Sequence, residues 1–262
     1  MTRDAVLGAR RIVVKVGSSS VSGANVGQID PLVDALVATY QRGVEVVLVS
    51  SGAIASAIAS LNLDGRPQDL ATQQAAAAVG QNVLMWRYQT SLDRYGILAG
   101  QVLLTAGDLE NPTHRSNAQR AMERLLDLRI LPIVNENDTV ATQEIRFGDN
   151  DRLAALVAEL IGADLLVLLS DIDALYTRPP GEPGARPIPY VPFDDDLSGV
   201  ELGDIGAAGV GTGGAGTKIA AAKHAAATGT PVLLTSTANV ALALAGGETG
   251  TWFQAQSQAI AE

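Results

Sequence analysis

Two lysines in this chain stand where a lysine is costly unless it has a task. Lys15 lies among Ile12, Val13, Val14 and Val16, and an ammonium in such a run needs a partner or a ligand. Lys218 closes the run Gly209-Val210-Gly211-Thr212-Gly213-Gly214-Ala215-Gly216-Thr217 and leads into Ile219-Ala220-Ala221-Ala222-Lys223, a helix former's composition. Glycines bare the backbone N–H groups and permit positive φ. N–H groups placed just ahead of a helix N-terminus bind anions, and a lysine at the mouth adds a mobile positive charge. The pattern reads as a phosphate cradle. A flexible surface linker is the bland alternative for the glycine run, but linkers carry serine and charge and seldom run straight into a helix. Snorkelling out of an edge strand is the bland alternative for Lys15; the turn Gly17-Ser18-Ser19-Ser20 directly after it argues against that.

Neither of the familiar nucleotide motifs fits. Gly209, Gly211 and Gly214 spell G-x-G-x-x-G, but Glu201-Leu202-Gly203-Asp204-Ile205-Gly206 ahead of them is not the apolar strand the dinucleotide fingerprint requires. A P-loop places its lysine directly after the last glycine and then Ser or Thr, whereas here Thr217 intervenes and Ile219 follows.

Carboxylates supply the opposite sign. Asp138, Asp149, Asp151 and Asp171 can pair with the lysines, hold a substrate ammonium, or touch magnesium through water. Helix capping is the plain reading of Asp149-Asn150-Asp151, though three such residues exceed what a cap needs. Asp194-Asp195-Asp196 reads as a solvated loop. Lysines with glycine-loop amides meet the needs of phosphoryl transfer, which are positioning and neutralisation of spreading negative charge. The only histidines, His114 and His224, each sit beside helix-forming sequence with no second ligand nearby, so a place on the surface or in core packing is the favoured reading of both and a histidine base is not expected. That points to an acceptor that is already anionic, such as a carboxylate, which is ionised at neutral pH.

These groups need a frame. Arg11 to Val16 reads as a buried strand. Asp30 as N-cap, Pro31 as first helical residue and Gly43 as stop bracket a helix with the stripe Leu32, Val33, Leu36, Val37 and Tyr40. Val44 to Val49 is the next strand, and Ser50-Ser51-Gly52 opens another helix. Gln68 to Tyr95 reads as helix interrupted near Gly80. Ile97 to Leu104 is a strand, Arg115 to Leu128 a helix, and Ile130 to Val134 a strand that breaks into Asn135-Glu136-Asn137-Asp138. Val140 to Phe147 reads as a short extended pair. Gly148-Asp149-Asn150-Asp151 caps a helix from Arg152 to Ile161, and Leu165 to Leu169 is a strand ending in Ser170-Asp171. Prolines and glycines make Thr177 to Pro192 loop. Pro231 to Leu234 and Thr251-Trp252-Phe253 are extended. The alternation predicts an α/β fold, a three-layer αβα sandwich around a mostly parallel sheet. Ligands in such sheets sit beyond the strand C-termini, and that is where Lys15-Gly17, Ser50-Ser51-Gly52, Asn135-Asp138 and Ser170-Asp171 fall.

Bulk properties narrow the class. The 262 residues, 47% of them hydrophobic, support a substantial core, and residues 1–262 are read as a single domain. A net charge of −10 argues against nucleic acid as a partner. With no cysteine there is no disulfide, thiol catalysis or Cys-type zinc site. No apolar run reaches the length of a membrane span, and Met1-Thr2-Arg3-Asp4-Ala5 lacks a leader's apolar stretch, so a cytoplasmic protein is expected.

The chain resembles the glutamate 5-kinases (γ-glutamyl kinases), a branch of the amino acid kinase family. The matching stretches are Val13-Val14-Lys15-Val16-Gly17-Ser18, Val49-Ser50-Ser51-Gly52-Ala53-Ile54, Pro132-Ile133-Val134-Asn135-Glu136-Asn137-Asp138, Phe147-Gly148-Asp149-Asn150-Asp151, Ser170-Asp171, and Gly211-Thr212-Gly213-Gly214 to Lys218. The N-E-N-D and G-D-N-D runs are specific to the branch; the lysine strand and glycine loop suit the wider family. The resemblance implies ATP-dependent phosphorylation of the γ-carboxylate of L-glutamate, the first step of proline biosynthesis, with magnesium and with proline as a competing inhibitor. It implies that Lys15 and Lys218 stabilise the transferring phosphoryl group and that Asp151 holds them. It assigns Ser51, Asp138 and Asn150 to glutamate, and Lys15, Ser170, Asp171, Thr212, Gly213, Gly214, Ala215, Gly216, Thr217 and Lys218 to ATP. No direct metal ligand is assigned. Within that picture Asp138 offers a partner for the α-nitrogen of either amino acid, and backbone N–H groups near Ser51-Gly52 for the α-carboxylate. The family also implies an eight-stranded sheet and a homo-oligomer, dimer or tetramer. Ser170 stands where threonine is common, and many members carry a C-terminal PUA-type domain that is not expected here. Kinases of the same fold acting on aspartate, acetylglutamate, carbamate or a nucleoside monophosphate are the nearest competitors, against which N-E-N-D and G-D-N-D argue. A non-catalytic amino-acid sensor is the competitor of another class, against which both lysines and the glycine run argue.

Overall fold

Short β-branched and leucine-rich runs, each ended by a polar group, set the architecture. The computed structural model describes residues 2–141, 150–201 and 214–256. In chain order its strands are β1 (Arg11–Val16), β2 (Glu45–Ser50), β3 (Ala99–Leu104), β4 (Leu131–Glu136), β5 (Leu165–Ser170), β6 (Leu175–Tyr176), β7 (Pro187–Ile188), β8 (Tyr190–Val191), β9 (Val232–Ser236) and β10 (Thr251–Phe253). Its α-helices are α1 (Thr2–Gly8), α2 (Ser18–Val21), α3 (Ile29–Gln41), α4 (Ala53–Ala57), α5 (Leu70–Asp93), α6 (Ala106–Glu110), α7 (Pro112–Asp127), α8 (Asn150–Ile161), α9 (Ala215–Ala227) and α10 (Val240–Leu244). Eight strands form one sheet in the order β3-β4-β2-β1-β5-β9-β10-β8. Every neighbouring pair in it is parallel except β9 with β10. This is the mostly parallel sheet that the alternating strands and helices predict.

Side-chain alternation along each strand divides the core in two. Ile12, Val14 and Val16 of β1, with Val46 and Leu48 of β2 and Leu165, Val167 and Leu169 of β5, pack on the side of α1, α3, α5 and α10. Val13, Val47, Val49, Leu166 and Leu168 pack on the other, against α6, α7, α8 and α9. The two helix layers enclose the sheet as an αβα sandwich, which is why its strands read as continuous apolar runs. Lys15 shares the face of Val13 and so turns toward α8 and α9. Parallel pairing sets Val16 opposite Ser50 and Ser170 opposite Ser236, so the polar strand ends gather along one edge.

Several local expectations are corrected. The helix α3 begins one residue before Asp30, with Gln28 at its cap; the Asp30 carboxylate accepts from Ser91 Oγ at 2.6 Å instead of capping. The turn expected after Gly17 is the short helix α2. β4 runs on through Asn135 and Glu136, and the segment from Thr177 to Pro192 contains β7 and β8, the second of which closes the sheet's far edge. α5 is continuous through Gly80. That glycine permits close approach instead: a Cβ there would stand 1.7 Å from the Ala53 carbonyl oxygen. α4 therefore lies directly on α5, with Ile54 and Ala57 against Ala76 and Ala77. The expected extended pair from Val140 to Phe147 lies almost wholly outside the described residues.

Candidate active site

At the C-terminal edge of the sheet, β1 delivers Lys15, the first turn of α8 delivers Asp151, and the first turn of α9 delivers Lys218. The two lysines meet on one carboxylate. Lys15 Nζ is 2.5 Å from Asp151 Oδ1, and Lys218 Nζ is 2.9 Å from Asp151 Oδ2. All three are buried, at 2%, 0% and 9% exposure for Lys15, Asp151 and Lys218. The fold favours this arrangement locally, because a carboxylate in the first turn of a helix is stabilised by the N-terminal end of the helix dipole. Among the described residues, two cations share this one anion.

Asn150, next in sequence to Asp151, opens a second network. Its Nδ2 donates to the Ser50 carbonyl oxygen and to Asn135 Oδ1, both at 2.7 Å. Asn135 Oδ1 also accepts from the Glu136 backbone N–H at 2.8 Å, and Asn135 Nδ2 donates to Gln81 Oε1 at 2.8 Å. Ser50 Oγ donates to the Ser51 carbonyl oxygen at 3.0 Å and lies 2.8 Å from the Tyr88 hydroxyl. Because Ser50 has a single hydroxyl proton, Tyr88 is the donor of that pair. Burial pushes the Tyr88 phenol up, against a smaller downward pull from Ser50, so it stays a neutral donor. These bonds join the ends of β2 and β4 to α5 and α8 and hold the Ser50-Ser51-Gly52 corner.

The other residues assigned from sequence are placed as follows. Ser51 is half-buried at the β2–α4 corner, where Gly52 adopts φ of 101°. The Ser51 N–H donates to the Val16 carbonyl oxygen at 3.1 Å. Asp138 is half-buried past the end of β4. It borders a cavity of about 210 Å³ walled also by Ala53, Ala77, Gln81, Met85 and Glu136. Ser170 is half-buried at the end of β5, and Asp171 is exposed beside it. Asp171 accepts from Ser19 Oγ at 2.9 and 3.1 Å, which ties the end of β5 to the turn after Lys15. Gly214 is the N-cap of α9 and gives it no side-chain cap; Ala215, Gly216 and Thr217 form the first turn, with Thr217 Oγ1 donating to the Gly214 carbonyl oxygen at 2.9 Å. Thr212 and Gly213 lie outside the described residues, as does Asp149. Both histidines are exposed and face carboxylates: His114 Nδ1 is 3.1 Å from Asp108, and His224 Nε2 is 3.1 Å from Glu159.

Gln81 and Tyr88 were missed as site residues, and Asn135, placed with the polar strand ends, was given no role of its own. The signal for the first two was periodic: residues 81, 84, 88 and 92 recur at helical spacing, so a glutamine in line with Leu84, Tyr88 and Leu92 had to be buried. The disposition of the site suits a nucleotide's phosphates, with two lysine ammoniums and an uncapped helix N-terminus at one end of the crevice. It offers a divalent cation little: among the described residues no three histidine or acidic side chains are grouped to hold a metal, and Asp151 is shared by two lysines. A magnesium ion carried on phosphates fits that donor set, since Mg²⁺ keeps its waters and leans on few protein ligands.

A model of the amino acid kinase family matches residues 10–236. The glutamate 5-kinase of Clavibacter sepedonicus is 72% identical over 256 residues, covering 98% of each chain. That of Leifsonia xyli is 70% identical, covering 96% of this chain and 93% of the relative. The glutamate 5-kinase of Streptomyces coelicolor is 56% identical over 99% of this chain but 71% of its own. Among solved structures, carbamate kinase from Giardia lamblia bound to AMP-PNP aligns with a TM-score of 0.68 over 98% of this chain and 100% of that one, at 16% identity, a likeness of fold alone.

Proposed function

The chain belongs to the amino acid kinase family and, within it, to the glutamate 5-kinases, and on that premise we propose that it transfers the γ-phosphoryl group of ATP to the γ-carboxylate of L-glutamate, giving L-glutamyl 5-phosphate. The observation that carries the proposal is the Lys15–Asp151–Lys218 cluster. Phosphoryl transfer asks for positioning and charge neutralisation, and the two lysines supply both where charge grows on the transferring group and the leaving oxygen. Asp151 keeps both ammoniums at the reaction point. Ser170, Asp171 and the run from Thr212 to Lys218 hold ATP. Magnesium on the phosphates would offset part of their charge when bound. Ser51, Asp138 and Asn150 hold glutamate, whose γ-carboxylate is ionised and needs no base to attack.

The test is ADP release by purified residues 1–262 with glutamate, aspartate, acetylglutamate and carbamate as acceptors, with hydroxylamine present to trap an acyl phosphate. Glutamate-dependent ADP release with formation of the γ-hydroxamate is expected. Folded protein that forms none with saturating ATP, magnesium and glutamate overturns both the activity and the reading of residues 1–262 as a sufficient kinase domain.

The same reading makes the reaction the first step of proline biosynthesis in the cytoplasm, with proline competing for the glutamate site. No helix among the described residues is long and apolar enough to cross a membrane. Proline shares glutamate's α-carboxylate and charged α-nitrogen, for which Asp138 is a charge-assisted partner, but has no γ-carboxylate to phosphorylate. Inhibition that persists undiminished at saturating glutamate refutes the shared site. A homo-oligomer belongs to this reading, supported by the exposed Trp86, Leu98 and Leu128; a monomer in sedimentation at assay concentration refutes it.

A further inference from the structure

The hydrogen-bond relay behind Asn150 has a fixed sense, set at both ends by backbone groups. The Ser50 carbonyl oxygen only accepts, so Asn150 presents its Nδ2 there. The Glu136 N–H only donates, so Asn135 presents its Oδ1 there. Asn135 must then turn Nδ2 to Gln81, which answers with Oε1. The Gln81 carboxamide is thereby oriented, and its Nε2 is left over: it is buried, and it has no hydrogen-bond partner among the described residues. The residue is only 7% exposed, and a buried amide donor without an acceptor is costly. Gln81 lines the cavity of about 210 Å³ that Asp138 also borders.

The lining of that cavity states what it can take. Four carboxamides, Gln81, Asn82, Gln101 and Asn137, stand with two acidic side chains, Glu136 and Asp138, and no lysine, arginine or histidine among the described residues joins them. A group carrying an ammonium and a carboxylate side by side is matched, the ammonium to the acids and the carboxylate to amide N–H donors. Of the backbone N–H groups near Ser51-Gly52 expected from sequence for that carboxylate, that of Ser51 is given to Val16.

We propose that this cavity is the subsite for the α-amino acid end of the acceptor and that Gln81 Nε2 is its specificity-determining donor, hydrogen-bonded to the substrate's α-carboxylate while Oε1 stays on Asn135. The proposal rests on the glutamate kinase reading above. Binding of the α-carboxylate satisfies the left-over donor, and through Asn135 and Asn150 the same side chain is three hydrogen-bonded residues from the strand corner beside Asp151.

The test compares glutamate with 4-aminobutyrate, which is glutamate without its α-carboxylate, in wild type, Gln81→Met and Gln81→Glu. Gln81→Glu, assayed at mildly alkaline pH where the new carboxyl is ionised, keeps an acceptor for Asn135 and puts a negative charge in place of the donor. Both variants are expected to raise the glutamate KM roughly 10- to 100-fold, the range for a hydrogen bond to a charged group. The ATP KM in both variants, and the inhibition constant of 4-aminobutyrate in Gln81→Met, should stay within about 2-fold, as for groups with no shared partner. Equal losses on both ligands, or a loss in Gln81→Met that Gln81→Glu does not share, mean that Gln81 acts only through Asn135 and overturn the proposal. So does an unchanged glutamate KM. If Gln81→Met does not fold, Gln81→Glu decides alone, and a wild type that binds glutamate and 4-aminobutyrate equally well overturns the proposal without any variant. Wild type that forms no glutamyl phosphate defeats the activity itself; wild type that forms it while the variants bind glutamate normally defeats only the subsite.

Discussion

Replacing Asp151 by asparagine should be the most damaging isosteric change available in this protein. The carboxylate is fully buried and touches two ammoniums at 2.5 and 2.9 Å. With an effective dielectric of about 20, each contact is worth roughly 6 kcal/mol of attraction, against a smaller repulsion between the two lysines. Desolvation of three charges offsets much of that sum, so the intact cluster contributes little net stability. Asparagine removes the anion, keeps the desolvation of the two lysines, and exposes their mutual repulsion. Breaking a buried pair in this way costs about 3–5 kcal/mol, a large share of the 5–15 kcal/mol that holds a typical protein folded. Urea denaturation of wild type, Asp151→Asn, Lys15→Met and the double variant measures it. The double variant should recover part of the loss, because one unpaired lysine is less costly than two, giving a coupling energy of about 2–3 kcal/mol. An Asp151→Asn midpoint equal to wild type, or additive effects with coupling below about 0.5 kcal/mol, refutes the charge argument.

Three other outcomes follow from the same coordinates. Lys218→Ala should lower kcat by roughly 100-fold, about 3 kcal/mol as for loss of one donor to a developing charge, with a smaller effect on the ATP KM; steady-state kinetics showing unchanged kcat and a raised ATP KM would place the lysine in ground-state binding instead. Gly80→Ala should cost about 3 kcal/mol or more by overpacking, because the added Cβ would lie 1.7 Å from the Ala53 oxygen and 2.6 Å from its carbonyl carbon; thermal melting checks it, and an unchanged midpoint means α4 can move off α5. At the start of α6, burial of Asp108 works to raise its pKa, but hydrogen bonds from the Thr105 side chain and N–H and from His114 outweigh it and hold the carboxyl below its ordinary 3.8. A depressed carboxyl stabilises the fold above its unfolded value and loses that contribution as pH falls through the folded one, so Asp108→Asn should cost about 1 kcal/mol at pH 7 and nothing once both forms are compared well below pH 3.8.

What was legible in the sequence was whatever repeats with a period or is costly to place. Ile12 to Val16 and Leu165 to Leu169 could be read as buried strands because every second residue fills one of two cores, and Lys15 stood out because burial of a charge needs a reason. Gly80 was misread as a helix break because intrinsic propensity counts only the lost side chain; the gain, contact with the Ala53 carbonyl, comes from a segment some 27 residues earlier in the chain. Asp30 was misread as a cap because Ser91, its partner, lies 61 residues away. The Gln81–Asn135–Asn150 relay was invisible for the same reason: two of its links span 54 and 15 residues, and only the fold brings the three amides together. Local chemistry can be read along the chain, whereas contacts made by packing must be seen.

The charge on the site also bears on which acceptor it can serve. Among the described residues, two ammoniums and one carboxylate make up a buried cluster with an excess of positive charge. On the proposed assignment, ATP brings phosphates to that charge and the acceptor brings its own anion, so each reactant is drawn toward the lysines although they would repel each other in water. A hydroxyl acceptor would gain nothing from the cluster and would need a base to take its proton. Both histidines are exposed and engaged with Asp108 and Glu159, and Asp151, the buried acid at hand, is already bonded to two lysine ammoniums. A carboxylate needs no such help: it attacks as it is, and the lysines lower the repulsion it must overcome. This is the reason to expect that the acceptor panel will divide by ionisation before it divides by shape, with carboxylate acceptors turned over and their alcohol analogues inert. An alcohol analogue of glutamate phosphorylated at a comparable rate would show that a base operates here after all, and that the positive cluster has been given the wrong role.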